Sequence, residues 1–265
     1  MRLPAFLKPV ALAVLRHLPW LERRVLASAG YRRIDRREME RLQGLPSGWK
    51  NESSARRQQL AYEALLAEMR YGRPRQDFRV VAEAVDAVGL LNPTLLEVGC
   101  GGGYHSAVLE ALATCQPVYT GSDFSSAMVE SARRRFPGVR FEVADATKLP
   151  YTNGAFDIVL EGVSLMHIPD WRQAIAEIAR VARSHVVFHS VPLFDEHPTE
   201  YLVKQAYGQP VTEAIYNRAE FERTIEDAGL AIERVRPALS YDVYATVGAH
   251  SRSWTFLCGK AASTR

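Results

Sequence analysis

A chain of 265 residues, 47% hydrophobic and 24% charged, has an ordinary globular composition and can bury a substantial core, as one main domain plus an extension. The net charge of +3 is local: Met1 to Lys50 holds 11 Lys and Arg against 4 Asp and Glu, or +7, and the remainder carries −4. Cys100, Cys115 and Cys258 form no CxxC pair, which argues against a zinc site or a disulfide framework and makes a reducing cytosol the default, and no apolar run approaches the ~20 residues of a membrane-spanning helix.

Residues 1–29 alternate apolar clusters with basic side chains, and Pro4, Pro9 and Pro19 cut them into short helical pieces. The apolar face is expected to pack on the body of the protein; the alternative is a peripheral contact with an anionic membrane, with Trp20 at the interface. Arg32, Arg33, Arg36, Arg37 and Arg41, interleaved with Asp35, Glu38 and Glu40, read as the exposed face of a helix. Residues 1–50 thus form a basic amphipathic extension ahead of a main domain at 51–265.

Helical spacing follows at Ala55 to Arg70 and at Asp77 to Val88, where Gly89 supplies a stop. From Thr94 short apolar runs alternate with amphipathic helices. Strands are expected at Thr94 to Val98, Val118 to Ser122, Val139 to Val143, Ala155 to Leu160 and His185 to Val191, with helices near Ser106 to Ala113, Ala127 to Arg135 and Trp171 to Arg183. This alternation specifies a parallel sheet covered on both faces. Beyond Val191, Pro192, Pro198 and Pro210 surround helical material such as Tyr201 to Tyr207; a helix at Glu220 to Ala228 and strands at Ala231 to Val235 and Ser253 to Leu257 follow.

The strongest local signal is Leu95-Leu96-Glu97-Val98-Gly99-Cys100-Gly101-Gly102-Gly103-Tyr104, a buried strand running into glycines and then a helix. Bare backbone there lets a nucleotide-like ligand approach closely. A dinucleotide site needs Gly or Ala at the sixth position counted from Gly99, and Tyr104 stands there, which disfavours NAD or FAD. The second strand ends at Asp123, whose two oxygens can take both hydroxyls of a ribose; the third ends in Val143-Ala144-Asp145-Ala146, where a further acid can accept from an adenine amine. Two acids at successive strand tips fit adenosine without phosphates.

Over roughly Leu95 to Val191 these motifs resemble the class I S-adenosylmethionine-dependent methyltransferases, in particular the branch that looks like quinone-biosynthesis methyltransferases. The resemblance implies an α/β, Rossmann-like, doubly wound sheet of seven strands, the last antiparallel, with a cofactor-binding core at 90–191 and a small-molecule acceptor. It implies that Glu97, Gly99, Cys100, Gly101 and Gly103 surround the methionine moiety. Asp123, with Phe124 beside it, would bind the ribose, Asp145 and Ala146 the adenine, and the loop from Glu161 to His167 would border cofactor and acceptor.

A methyl group on a sulfonium is intrinsically electrophilic, so alignment and exclusion of water can supply much of the catalysis, with a base needed only where the acceptor loses a proton. His167, His189 and Tyr104 are the candidates for that base, although a packed, hydrogen-bonded role is the stronger reading of His167. Strand alternation turns His185, Val187 and His189 to one face. An acceptor lid is expected at 192–217 together with residues before Thr94. A nucleic-acid methyltransferase and a non-catalytic cofactor-binding scaffold are the alternatives; the first is disfavoured because Glu161-Gly162-Val163-Ser164 replaces the Asn/Asp-Pro-Pro-Tyr/Phe tetrad, and no nucleic acid is expected as a partner. No metal motif is present in the sequence, which argues against catechol-type methylation.

Overall fold

The computed structural model describes residues 30–43, 52–206 and 209–261. The expectations for residues 1–29 lie outside that range. In chain order the elements are β1 (Arg32–Ile34), α1 (Arg36–Gln43), α2 (Glu52–Arg70), α3 (Gln76–Asp86), β2 (Thr94–Val98), α4 (Tyr104–Leu112), β3 (Val118–Asp123), α5 (Ser126–Arg135) and β4 (Arg140–Val143). Then come β5 (Phe156–Gly162), a 3-10 turn (Leu165–His167), α6 (Trp171–Val181), β6 (Ala182–Phe194), β7 (Glu200–Ala206), β8 (Gln209–Asn217), α7 (Arg218–Asp227), β9 (Leu230–Pro237), α8 (Tyr244–Val247) and β10 (Ser251–Lys260).

Seven strands form the central sheet in the order β4-β3-β2-β5-β6-β10-β9, with β10 antiparallel to both its neighbours and the first five strands parallel. Strand alternation sorts the core into two layers. Leu95, Ile158, Leu160 and Val187 pack with α3 and α4 on one face, while Leu96, Val98, Val159, Val186 and Phe188 pack with α6 and α7 on the other. Helix starts follow local capping: Ser125 accepts from Met128 N ahead of α5, and Asn217 accepts from Glu220 N ahead of α7.

Two findings depart from the sequence reading. The stretch Tyr201 to Tyr207, read as helical, falls largely within β7, which pairs antiparallel with β8 along Glu200 to Ala206 and carries β1 on its other edge. Its Leu, Lys, Gln and Ala are good helix formers, but two partner strands override that preference. Likewise Arg32 and Arg33 belong to β1, and only the run from Arg36 is helical. Four of the five arginines are paired: Arg32 and Arg41 with Glu38, Arg33 with Glu200, and Arg36 with Glu40 and Asp170. Strand β8 joins the main sheet beside the end of β6, at Leu193 and Phe194, so β1, β7 and β8 extend it past the tips of the parallel strands. No helix among the described residues is long and apolar enough to cross a membrane.

Candidate active site

A cavity of about 740 Å³ opens at the carboxyl ends of β2, β3, β4 and β5, where an open α/β sheet places its ligands. One wall is the glycine loop. Gly99 has φ +73°, and a Cβ there would overlap the Ser164 side chain, so backbone alone fits between β2 and the turn after β5. Gly99, Cys100 and Gly101 line the cavity. Gly103 does not: its φ is +76°, and a Cβ would fall 2.7 Å from the Phe141 ring, so packing under the loop demands that glycine. Cys100 is 1% exposed, and burial drives its thiol well above the usual range.

Asp123 fixes the loop from the tip of β3, its Oδ2 accepting from Gly101 N at 2.9 Å and its Oδ1 from Ser125 N at 2.9 Å. Burial raises its pKa to about 6 against the lowering effect of those two bonds. Asp145 is exposed at the next strand tip and accepts from Thr147 N and Oγ1, both at 2.8 Å. Phe124, Met128, Ala144, Asp145, Ala146 and Thr147 line the same end of the cavity.

Like Gly103, two further expected cofactor contacts lie behind the wall. Glu97 is wholly buried, accepting from Tyr119 OH and paired with His105 Nδ1 at 2.7 Å; a Cβ on Gly162 would overlap its carboxylate. Glu161 is 1% exposed, its Oε1 accepting from Ser164 N (2.5 Å), Leu165 N (2.6 Å) and Ser164 Oγ (2.8 Å). It therefore shapes the turn that carries Val163, Ser164 and His167 into the cavity lining. Among the described residues its Oε2 has no hydrogen-bond partner, and burial raises its pKa to about 7. Val163 holds φ +69°, a costly conformation for a β-branched residue and a sign of strain stored at this turn.

The three candidate bases separate. His167 lines the cavity, with Nδ1 donating to Thr212 O at 2.7 Å, and burial lowers its pKa. Tyr104 also lines it, but it is 6% exposed and stacked on Tyr62 with ring centroids 3.7 Å apart, and burial raises its phenol pKa far above 10. His189 is absent from the lining: it is fully buried, paired through Nδ1 with Thr255 Oγ1 at 2.9 Å, and among the described residues its Nε2 has no partner. It keeps the face of Val187, against His105 of α4, and a β-bulge follows it. Register against β10 shifts between Trp254 and Phe256, Ser190 takes φ +58°, and Ser190 faces the cavity.

Nothing in local pattern marks several other lining residues. Gln58 of α2 accepts from Gly102 N at 2.9 Å, and Gln43 of α1 donates to Thr212 Oγ1 at 3.1 Å and to His167 O. At the end remote from Asp123, Lys204 of β7 donates to Glu213 Oε1 of β8 (2.7 Å) and to Tyr31 OH (2.6 Å), while Tyr31 and Tyr241 both donate to Glu213 Oε2. Burial pushes the Glu213 pKa up, but Lys204, His167 and these bonds outweigh it and hold the carboxyl below its usual value. Among the described residues no three metal-ligating side chains cluster.

Residues 96–189 match a family model described as a methyltransferase domain. An O-methyltransferase of Penicillium expansum is 30% identical over 54% of this chain and 56% of its own length. A demethylmenaquinone methyltransferase of Renibacterium salmoninarum is 30% identical over 60% of this chain and 65% of its own. The chain thus spans less than two thirds of these relatives. Among solved structures, a TehB-like S-adenosylmethionine-dependent methyltransferase from Corynebacterium glutamicum superposes with a TM-score of 0.52 at 18% identity, covering 78% of this chain and 98% of that one, a likeness of fold.

Proposed function

We propose that the chain, whose residues 96–189 match a methyltransferase domain, is a class I S-adenosylmethionine-dependent methyltransferase that binds S-adenosylmethionine in the cavity at the strand tips and methylates a small-molecule acceptor there. The observation that carries this reading is the coincidence, in one cavity, of a glycine wall that excludes any Cβ at Gly99 with two acids at successive strand tips, Asp123 and Asp145. That pair of acceptors fits an adenosyl group. A carboxylate accepts from ribose hydroxyls or an adenine amine, and among the described residues no cluster of cations lines this end for a pyrophosphate. Gly99, Cys100 and Gly101 would face the methionine part, Asp123 and Phe124 the ribose, and Asp145, Ala146 and Met128 the adenine. Glu97 and Glu161 would act from behind, Glu97 by anchoring the start of α4 through His105 and Glu161 by holding the turn that ends in His167.

When bound, the cofactor supplies an electrophilic methyl group on sulfur. The protein's own contribution is then to orient an acceptor and keep water out. The strap β1–α1 and the hairpin β7–β8 serve that end, tied across the cavity by Gln43 to Thr212 and to the His167 carbonyl. Of the candidate bases, His167 is the one proposed for an acceptor that must lose a proton. Its Nδ1–H is spent on Thr212 O and burial favours its neutral form, which leaves Nε2 as the nitrogen carrying the lone pair.

Titration calorimetry with S-adenosylmethionine and S-adenosylhomocysteine, with NAD as control, tests the reading. Micromolar-range binding of the adenosyl compounds alone supports it, and binding of NAD, or of none, removes it.

A further inference from the structure

Four side chains from three distant parts of the chain, Tyr31, Lys204, Glu213 and Tyr241, meet at the end of the cavity beyond β6, away from the strand tips that carry Asp123 and Asp145. Both tyrosine protons are spent on Glu213 Oε2. An ammonium has three hydrogens. Lys204 gives one to Glu213 and one to Tyr31, so among the described residues its third has no partner, and Lys204 lines the cavity. The four groups therefore present a single oriented hydrogen-bond donor inward.

Charge and polarity restrict what that donor can meet. Among the described residues at this end Arg36 and Lys204 face Glu40, Asp170 and Glu213, two positive against three negative, and each cation is already paired: Arg36 with Glu40 (2.9 Å) and Asp170 (3.6 Å), Lys204 with Glu213 (2.7 Å). Among the described residues an incoming anion would find no uncompensated positive charge and would have to be desolvated beside a surplus carboxylate. Apolar side chains also line the wall, from Leu42, Met166, Ile168, Val211 and Leu239, with neutral polar groups such as Thr212 and Ser240 among them.

We propose that this end is the acceptor subsite and that Lys204, locked by Glu213, Tyr31 and Tyr241, selects an uncharged, largely apolar molecule that presents a hydroxyl or carbonyl oxygen, while anionic acceptors are turned away. The assignment of this end to the acceptor rests on the proposed placement of the cofactor at the strand tips.

Three matched probes test the selection: 2-naphthol, 2-methylnaphthalene and 2-naphthoate, titrated into the protein with and without saturating S-adenosylhomocysteine at neutral pH. The expected result is that 2-naphthol binds about tenfold or more tightly than either of the others, the value of one hydrogen bond to a charged donor. In Lys204→Met the advantage of 2-naphthol over 2-methylnaphthalene should vanish while S-adenosylhomocysteine affinity stays within about twofold of the parent, less than half the value of one net hydrogen bond. Tighter binding of 2-naphthoate, an equal preference in Lys204→Met, or no binding of 2-naphthol overturns the proposal. The double variant Lys204→Met/Glu213→Gln removes both charges together and covers the case in which the single variant fails to fold; if neither folds, the order of the three probes on the parent protein decides. Failure of S-adenosylhomocysteine to bind would remove the cofactor reading instead, and the titrations without it would still report the preference at Lys204.

Discussion

Asp123 carries two duties that pull its protonation in opposite directions. Burial raises its pKa to about 6, yet the ribose hydroxyls it is proposed to hold would donate to the ionised form. An acid whose folded pKa stands above its unfolded value of ~3.9 contributes most to stability below that value and loses the contribution as pH rises through the folded one. The free protein should therefore lose stability between about pH 4 and 6 through this group. Ligand binding should release protons near pH 6, and S-adenosylhomocysteine affinity should rise from pH 5 to 7. Calorimetry in buffers of different ionisation enthalpy reads both effects; a pH-independent affinity over that range would count against the ribose role. Asp123→Asn loses the charge, and its single amide oxygen can accept from only one of Gly101 N and Ser125 N, so it should weaken S-adenosylhomocysteine binding by at least about tenfold, the value of a charged hydrogen bond. Gly99→Ala should cost at least the ~1–2 kcal/mol of a left-handed L residue, and more from the overlap with Ser164, lowering the melting temperature and abolishing cofactor binding together.

At the scale of elements, the hairpin β7–β8 is held to the rest of the molecule by a short junction with β6 at Leu193 and Phe194, by β1, and by the contacts of Glu213 with Tyr31 and Tyr241. Removing one member of a buried ion pair leaves the other uncompensated, at a cost of roughly 3–5 kcal/mol in a dry interior. Lys204 retains partial exposure, so Glu213→Ala should cost somewhat less, about 2–3 kcal/mol, measured by denaturant unfolding. Because the Glu213 carboxyl is held below its usual value, its contribution is present above the unfolded value and lost as pH falls through the folded one. Acid should thus loosen the hairpin, and Glu213→Gln should flatten that part of the stability profile. The bulge at His189 and Ser190 works at the same scale. One extra residue opposite Thr255 turns Ser190 to the cavity, while His189 stays against His105, with ring centroids 5.5 Å apart.

For the molecule as a whole, stability should be uneven in a way that matches the proposed function. Strands β2, β5 and β6 lie between two apolar layers, whereas β1 and β7 form the outer edge of the extension. Hydrogen exchange should be slowest in β2, β5 and β6 and markedly faster in β1 and β7, and S-adenosylhomocysteine should protect Gly99 to Gly103. Uniform exchange across all strands would argue against a separately opening strap. Sequence by itself determined the parallel core, the glycine wall at Gly99 to Gly101 and the acids Asp123 and Asp145, because each is written in short-range pattern: period-two burial, a strand running into glycines, an acid at a strand tip. The remote end of the cavity was decided only by tertiary structure. Tyr31, Lys204, Glu213 and Tyr241 are separated by up to 210 positions and meet because β1, β7 and β8 pair beyond β6. The same pairing made a strand of residues with helical preference at Tyr201 to Ala206, and a bulge that alternation does not foresee turned Ser190 to the cavity, while His189 stayed on the face of Val187. Local propensity is worth a few tenths of a kcal/mol per residue, and partner strands and buried ion pairs outweigh it.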